Sequence, residues 1–276
     1  MLDSLHPNLL GFIAAFFVAS ARVCYRGALS SLSPAATALV SLSVSAVFAW
    51  VYYRLEGGWD EWRLRGVLWF MAVGVVGTLG ARYVSFVSIL KVGLARGSII
   101  VQTSLIWSAV LAVAFLGERI DFGVGLGTLA IMFGSILLLY KGDVTRRLIP
   151  LRHYLYPALT ALCLAFSHFF LKSGFYWIPS APVGMGVSTM TALLLLLVVI
   201  PFTDEGIPRA WERRPLIIVT LGGLFNALAA VFFQSAVKGG RIVEVIPINR
   251  LSVLLIIFFS WLFFRKQEAV TFRVVL

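Results

Sequence analysis

Charge is scarce in this chain, and acid scarcer still: Asp, Glu, Lys and Arg make up 13% of 276 residues, with 12 acids against 23 bases. A soluble domain carries about 25% charged residues, so a water-soluble enzyme or binding domain is excluded on that count. Cysteine occurs twice, at Cys24 and Cys163, both inside apolar runs, which gives neither a disulfide framework nor a metal-ligand spacing. The three histidines, His6, His153 and His168, are scattered. With no clustered His/Cys set and no nucleophile beside a base, an enzyme is not expected, nor is a cofactor or a metal. No Lys or Arg precedes the first apolar run, so a cleavable signal peptide is not expected either. Nor does any acid lie deep in an apolar run; Glu244 enters the ninth by one or two residues and is placed to pair with Arg241.

What is abundant is apolar surface. It takes 60% of the residues, and the mean hydropathy is +0.96, against about 45–50% apolar residues in ordinary globular chains. Breaking at charged or Pro/Gly-rich punctuation leaves runs at about 9–30, 35–53, 67–90, 93–116, 122–140, 154–171, 182–201, 215–236 and 243–264, then a stub from Val270. Lipid offers the backbone no hydrogen-bond partner, so each run is read as a helix and the fold as an all-α polytopic membrane protein. The net charge of +11 is then explained by anionic headgroups. The lipid bilayer is the partner expected from it and no nucleic acid is; association as a homodimer stays open.

The connection around Arg146 and Arg147 divides the chain into 1–141 and 154–276, with 142–153 between them. Adding 147 carries Ser20 to Ser167, Gly27 to Gly174, Ser88 to Ser235, Lys91 to Lys238, Gly93 to Gly240 and Gln102 to Asn249. Beyond Arg265, Lys266 and Gln267 the offset becomes 150, which aligns Glu118 with Glu268. Five spans per half, an odd number, would invert the second copy in the membrane, the arrangement of secondary transporters.

The stretch Ser88-Ile89-Leu90-Lys91-Val92-Gly93-Leu94-Ala95, the run ending Ala114-Phe115-Leu116-Gly117-Glu118, and then Gly127 resemble the EamA-type repeat of the drug/metabolite transporter superfamily. The second copy is similar at Ser235-Ala236-Val237-Lys238 and at Phe264-Arg265-Lys266-Gln267-Glu268. The resemblance implies a multi-pass permease of the bacterial inner (plasma) membrane. Its ten helices form two inverted five-helix repeats, and the first four helices of each half line a central cavity. It also implies cytoplasmic termini. The Lys and Arg count, 13 on the side of Arg22 and Arg26 against 7 on the other, instead puts the N-terminus outside.

Several residues read as structural. Ser33-Pro34 and Ser180-Ala181-Pro182 open helices, Glu118 sits near a helix N-terminus with Asp121 placed to cap the next helix, and Gly74, Gly77, Gly80, Gly123 and Gly127 are spaced for close helix contact.

Substrates are seldom two-fold symmetric, so a binding site is sought where the halves differ. Under the 147-residue offset Arg22 faces Phe169, Arg82 faces Ala229, His168 faces Ala21, Asn226 faces Leu79 and Arg250 faces Thr103. These five, with the pair Gln102 and Asn249, are the candidate substrate-binding residues. At a rise of ~1.5 Å per residue, Arg22 and Arg82 lie about 20 and 22 Å from the N-terminal side and Arg250 and His168 about 10 Å. Snorkelling accounts for Arg22 and Arg250 as well as a site role does. Arg82 is roughly 12 Å from its nearer span end. Arg22 and Arg26, and likewise His168 and Lys172, are four apart and share a helix face, so inward-pointing faces would make the cavity cationic. Pro247 should kink the ninth span and free carbonyls beside Asn249 and Arg250. His168 is either a satisfied core histidine or the residue through which any proton coupling would run.

The leading expectation is therefore alternating-access transport of a small polar, anionic metabolite, an amino acid or organic anion. Export of drugs or cationic solutes and a lipid-linked carrier or flippase are the alternatives. Because the 150-residue offset would carry the fifth span's copy to about position 290, the tenth helix is expected to be truncated at Leu276.

Overall fold

The computed structural model describes residues 5–58, 61–142, 149–202 and 212–264, and these are helical throughout apart from short connections. The helices run α1 (Pro7–Ala28), α2 (Pro34–Leu55), α3 (Leu64–Ala72), a π-helical segment (Val73–Ala81), α4 (Arg82–Lys91), α5 (Leu94–Val101), α6 (Ser104–Leu116), α7 (Phe122–Gly142), α8 (Leu155–Trp177), α9 (Ala181–Val199), α10 (Arg213–Gly239), α11 (Ile242–Arg250) and α12 (Ser252–Phe264). Among the described residues, seven helical stretches are long and apolar enough to cross a membrane. The protein is an all-α, multi-pass membrane protein. The expected C-terminal stub and Glu268 lie outside the described residues.

Local chemistry sets the ends. His6 Nδ1 accepts from the Asn8 amide at 3.2 Å ahead of α1, and Ser33 Oγ accepts from Ala36 N at 3.2 Å in front of Pro34, so α2 opens as its Ser-Pro pair predicts. Gly117, at φ +66°, ends α6 in the left-handed conformation.

Pro247 stands inside α11, and the helix gives way four residues later, at Leu251. The matching span breaks as well, at Gln102 and Thr103, although Ile100 stands there in place of the proline. There the backbone tightens, with Thr103 N on Ile100 O at 3.0 Å, and the Thr103 hydroxyl donates to the same carbonyl at 2.8 Å. A side-chain hydroxyl competing for a helical carbonyl is a helix-bending device in its own right, and the apolar pattern of the span does not reveal it.

The helices meet through small residues. α1 lies along α10, α8 along the α3–π–α4 rod, and α2 along α9; the first two contacts exchange under the 147-residue offset. On the rod, a Cβ at Gly77 would run into the Ser167 side chain, and one at Gly74 would stand 2.7 Å from the Ser188 carbonyl oxygen and 2.8 Å from Thr191 Cβ. Gly123 and Gly127 behave otherwise. A Cβ at either position would meet nothing within 4 Å, because α7 is peripheral and turns this edge outward, so their spacing is not a packing stripe among the described residues. Gly74→Ala should cost about 1–3 kcal/mol, since the Ser188 backbone cannot yield as a side chain would. Thermal unfolding of the detergent-purified protein checks this, with Gly127→Ala as the neutral control.

Candidate functional site

A cavity of about 240 Å³ lies at mid-depth among α1, the α3–π–α4 rod, α8, α10 and α11. Six of the seven nominated residues line it: Arg22, Arg82, His168, Asn226, Asn249 and Arg250. Gln102 does not. It is 1% exposed at the α5–α6 break, and neither Nε2 nor Oε1 has a hydrogen-bond partner among the described residues.

Three helices tie the two N-terminal-half arginines into a ring. Arg22 Nη1 donates to Ser85 Oγ at 3.3 Å, Arg82 Nη1 donates to Ser41 Oγ at 3.0 Å, and the Tyr25 hydroxyl shares a hydrogen bond with that same Ser41 Oγ at 2.6 Å. Arg22 and Tyr25 are three apart on α1, and Arg82 and Ser85 are three apart on α4, so each helix presents one guanidinium and one hydroxyl to its neighbour. Arg22 thus points across the bundle instead of snorkelling to the interface.

Tyr25, Ser41 and Ser85 were missed in the sequence. Ser85 was within reach of the repeat comparison, since Phe232 faces it; Ser41 was hidden, since its counterpart is Ser188.

On the other side of the cavity His168 Nδ1 lies 2.9 Å from Ser108 Oγ, with the imidazole against Phe233 at 5.5 Å between centroids. The shared helix faces do not extend the cationic lining as expected. Lys172 turns away from the cavity and donates from Nζ to the carbonyls of Val237 at 2.9 Å and Gly240 at 2.5 Å. Arg26 lines a separate crevice with Cys24 and Arg214. Four residues of helix are about 6 Å of rise, enough to carry each partner past the cavity's edge.

The end of the bundle that carries the N-terminus is cross-linked by side chains. Lys172 satisfies the last carbonyls of α10, a favourable place for a cation. Glu118 takes the amides of Ile242 and Val243 on its two carboxylate oxygens, both at 3.0 Å, and so caps α11, a helix of the other half. Asp121, expected to cap its own helix, instead accepts from Arg241 Nη2 at 2.8 Å, and Glu244 holds the same guanidinium. Bonds to Asp121 first and Glu244 second keep the Arg241 pKa above its ordinary value. Toward the opposite end the cavity runs on to Thr160, near the start of α8, and Ile89, near the end of α4.

A second, apolar hollow of about 480 Å³ lies between α6, α7 and α11, and Ile246 lines both it and the polar cavity. Among the described residues no three His, Cys, Asp or Glu side chains come together as metal ligands.

Residues 6–140 match the family model described as the EamA-like transporter family. A solved crystal structure of another protein is similar at a TM-score of 0.75 and 16% identity, covering 98% of this chain and 91% of that one, which shows a shared fold. No curated protein matches.

Proposed function

Residues 6–140 belong to the EamA-like transporter family, of the drug/metabolite transporter superfamily, and from that premise we propose that this multi-pass membrane protein moves a small polar, anionic metabolite across a bacterial inner membrane by alternating access. Two inverted repeats, 1–141 and 154–276, supply the moving halves. The observation that carries the reading is the cavity itself: three arginines, two asparagines and a histidine converge on it, and among the described residues no carboxylate lines it. A cation exporter needs the opposite charge at that depth. At about 240 Å³ the cavity is also below the roughly 300–1,000 Å³ of drug-sized pockets. Arg22, Arg82, Asn226, Asn249, Arg250 and His168 contact the substrate in this reading, and Gln102 serves the α5–α6 break beside it.

A lipid-linked carrier is the second reading, favoured by the apolar hollow that adjoins the polar cavity at Ile246. Uptake of labelled aspartate, succinate and other small anions into proteoliposomes tests the first. Saturable uptake competed by unlabelled anion is expected. The reading fails if Arg82→Ala and Arg250→Ala leave the uptake of every transported anion unchanged.

A further inference from the structure

The cavity holds more positive charge than one anionic group can balance. Arg22 and Arg82 each spend one N–H on a serine hydroxyl, which is neutral, out of five donors per guanidinium. Arg250 makes no ion pair or hydrogen bond among the described residues and stands within electrostatic range of both Arg22 and His168. The described acids are all elsewhere: Glu56 and Glu61 between α2 and α3, Glu118 and Asp121 between α6 and α7, Glu212 before α10, and Glu244 in the first turn of α11 against Arg241. Like charges gathered in a low-dielectric space repel one another, and a group of opposite sign that fills the space relieves that repulsion.

The charges also fall into two groups. Arg22 and Arg82 come from α1 and α4 of one half and are locked together through Ser85, Ser41 and Tyr25; Arg250 comes from α11 of the other half, beside Asn249. Ser41 accepts from Arg82 and can donate its own O–H to the Tyr25 oxygen, which leaves the phenol O–H free to donate into the cavity. We propose that the cargo is a small dianion, with one anionic group seated on Arg22, Arg82 and Tyr25 and the second on Arg250 and Asn249. A dicarboxylate has that chemistry; a phosphate monoester, with both charges on one group, fills only one of the two seats. A zwitterionic amino acid does not fit either, because its ammonium would meet guanidinium groups with no carboxylate to receive it. The proposal rests on the anion-transport reading and narrows it.

Isothermal titration of the full chain in detergent at neutral pH tests the idea, with succinate as the two-ended dianion, glycerol 3-phosphate as a dianion with both charges on one group, and butyrate and glycine as the singly charged and zwitterionic comparisons. Succinate should bind about tenfold tighter than butyrate or better, and tighter than glycerol 3-phosphate; the reverse order of the two dianions overturns the two-ended seat. Arg250→Gln should bring the ratio of dianion to butyrate affinity close to one while butyrate binding persists, and Arg250→Lys should keep most of the ratio, since it keeps the charge. Equal or tighter binding of butyrate or glycine by the native chain overturns the dianion and leaves anion transport standing. A ratio unchanged in Arg250→Gln overturns the two-ended seat. Binding of no anion at all overturns both readings.

Discussion

Arg82→Gln should lower the kcat/KM of anion uptake on the order of 10²-fold or more and leave the melting temperature unchanged or raised. The two halves of that expectation come from one fact. Arg82 sits in the bundle interior, bonded to Ser41 and beside the cavity, with no acid among the described residues against it. When cargo arrives, the guanidinium becomes half of a desolvated charge pair, and truncating one member of such a pair costs about 2–5 kcal/mol, where each 1.4 kcal/mol is tenfold. Before cargo arrives it is only a buried cation among other cations, and removing it relieves repulsion. A residue kept for packing would show the reverse, with stability lost first and transport falling only in proportion. Arg82→Lys keeps the charge but not the planar fork, so it should retain part of the activity. Initial rates in proteoliposomes set beside unfolding curves of the same preparations separate these cases.

Lys172→Met should unlace the N-terminal end of the bundle. Its ammonium holds the Val237 and Gly240 carbonyls together at the point where α10 ends and α11 begins, and hydrogen bonds to charged groups are worth about 1.5–3 kcal/mol each. Two such bonds can shift a closed-to-open equilibrium on the order of 10²-fold. At the opposite end Tyr25 occupies the matching position and bonds to Ser41 instead, so the two ends are fastened by different chemistry. A cysteine at Leu171, on the cavity wall, with Cys24 and Cys163 replaced by Ser, reports the change. Its labelling by an impermeant thiol reagent from the N-terminal side should quicken by at least about tenfold in Lys172→Met, and Glu118→Ala should act in the same direction through α11. An unchanged labelling rate would mean that these bonds hold helix ends and do not gate.

Much of this was legible because a bilayer leaves few choices. Run boundaries followed from apolar length, and the repeat comparison singled out polar groups that only one half needs; Arg22, Arg82, His168, Asn226 and Arg250 all line the cavity. What escaped was whatever depends on a partner from another helix. Ser41 looks like any small residue of a packed α2 until Arg82 and Tyr25 meet on it. Glu118 reads only as an acid near the N-terminus of its own next helix, while the amides it reaches belong to a residue pair more than a hundred positions on. Lys172 shares a face with His168, yet one further turn takes it past the cavity to the end of α10. The π-helical segment at Val73–Ala81 left no mark in the hydrophobic pattern, since its glycines suit either winding.

The central claim is that an anion occupies the space among Arg22, Arg82 and Arg250. A structure determined with a brominated dicarboxylate at saturating concentration tests it most directly, because anomalous scattering locates the bromine without reference to any assumed pose. The account predicts a peak inside the cavity, with carboxylate oxygens within hydrogen-bond distance of Arg250 and of Arg22 or Arg82. Bromine found only outside that cavity, with the three guanidinium groups unvisited, would contradict it.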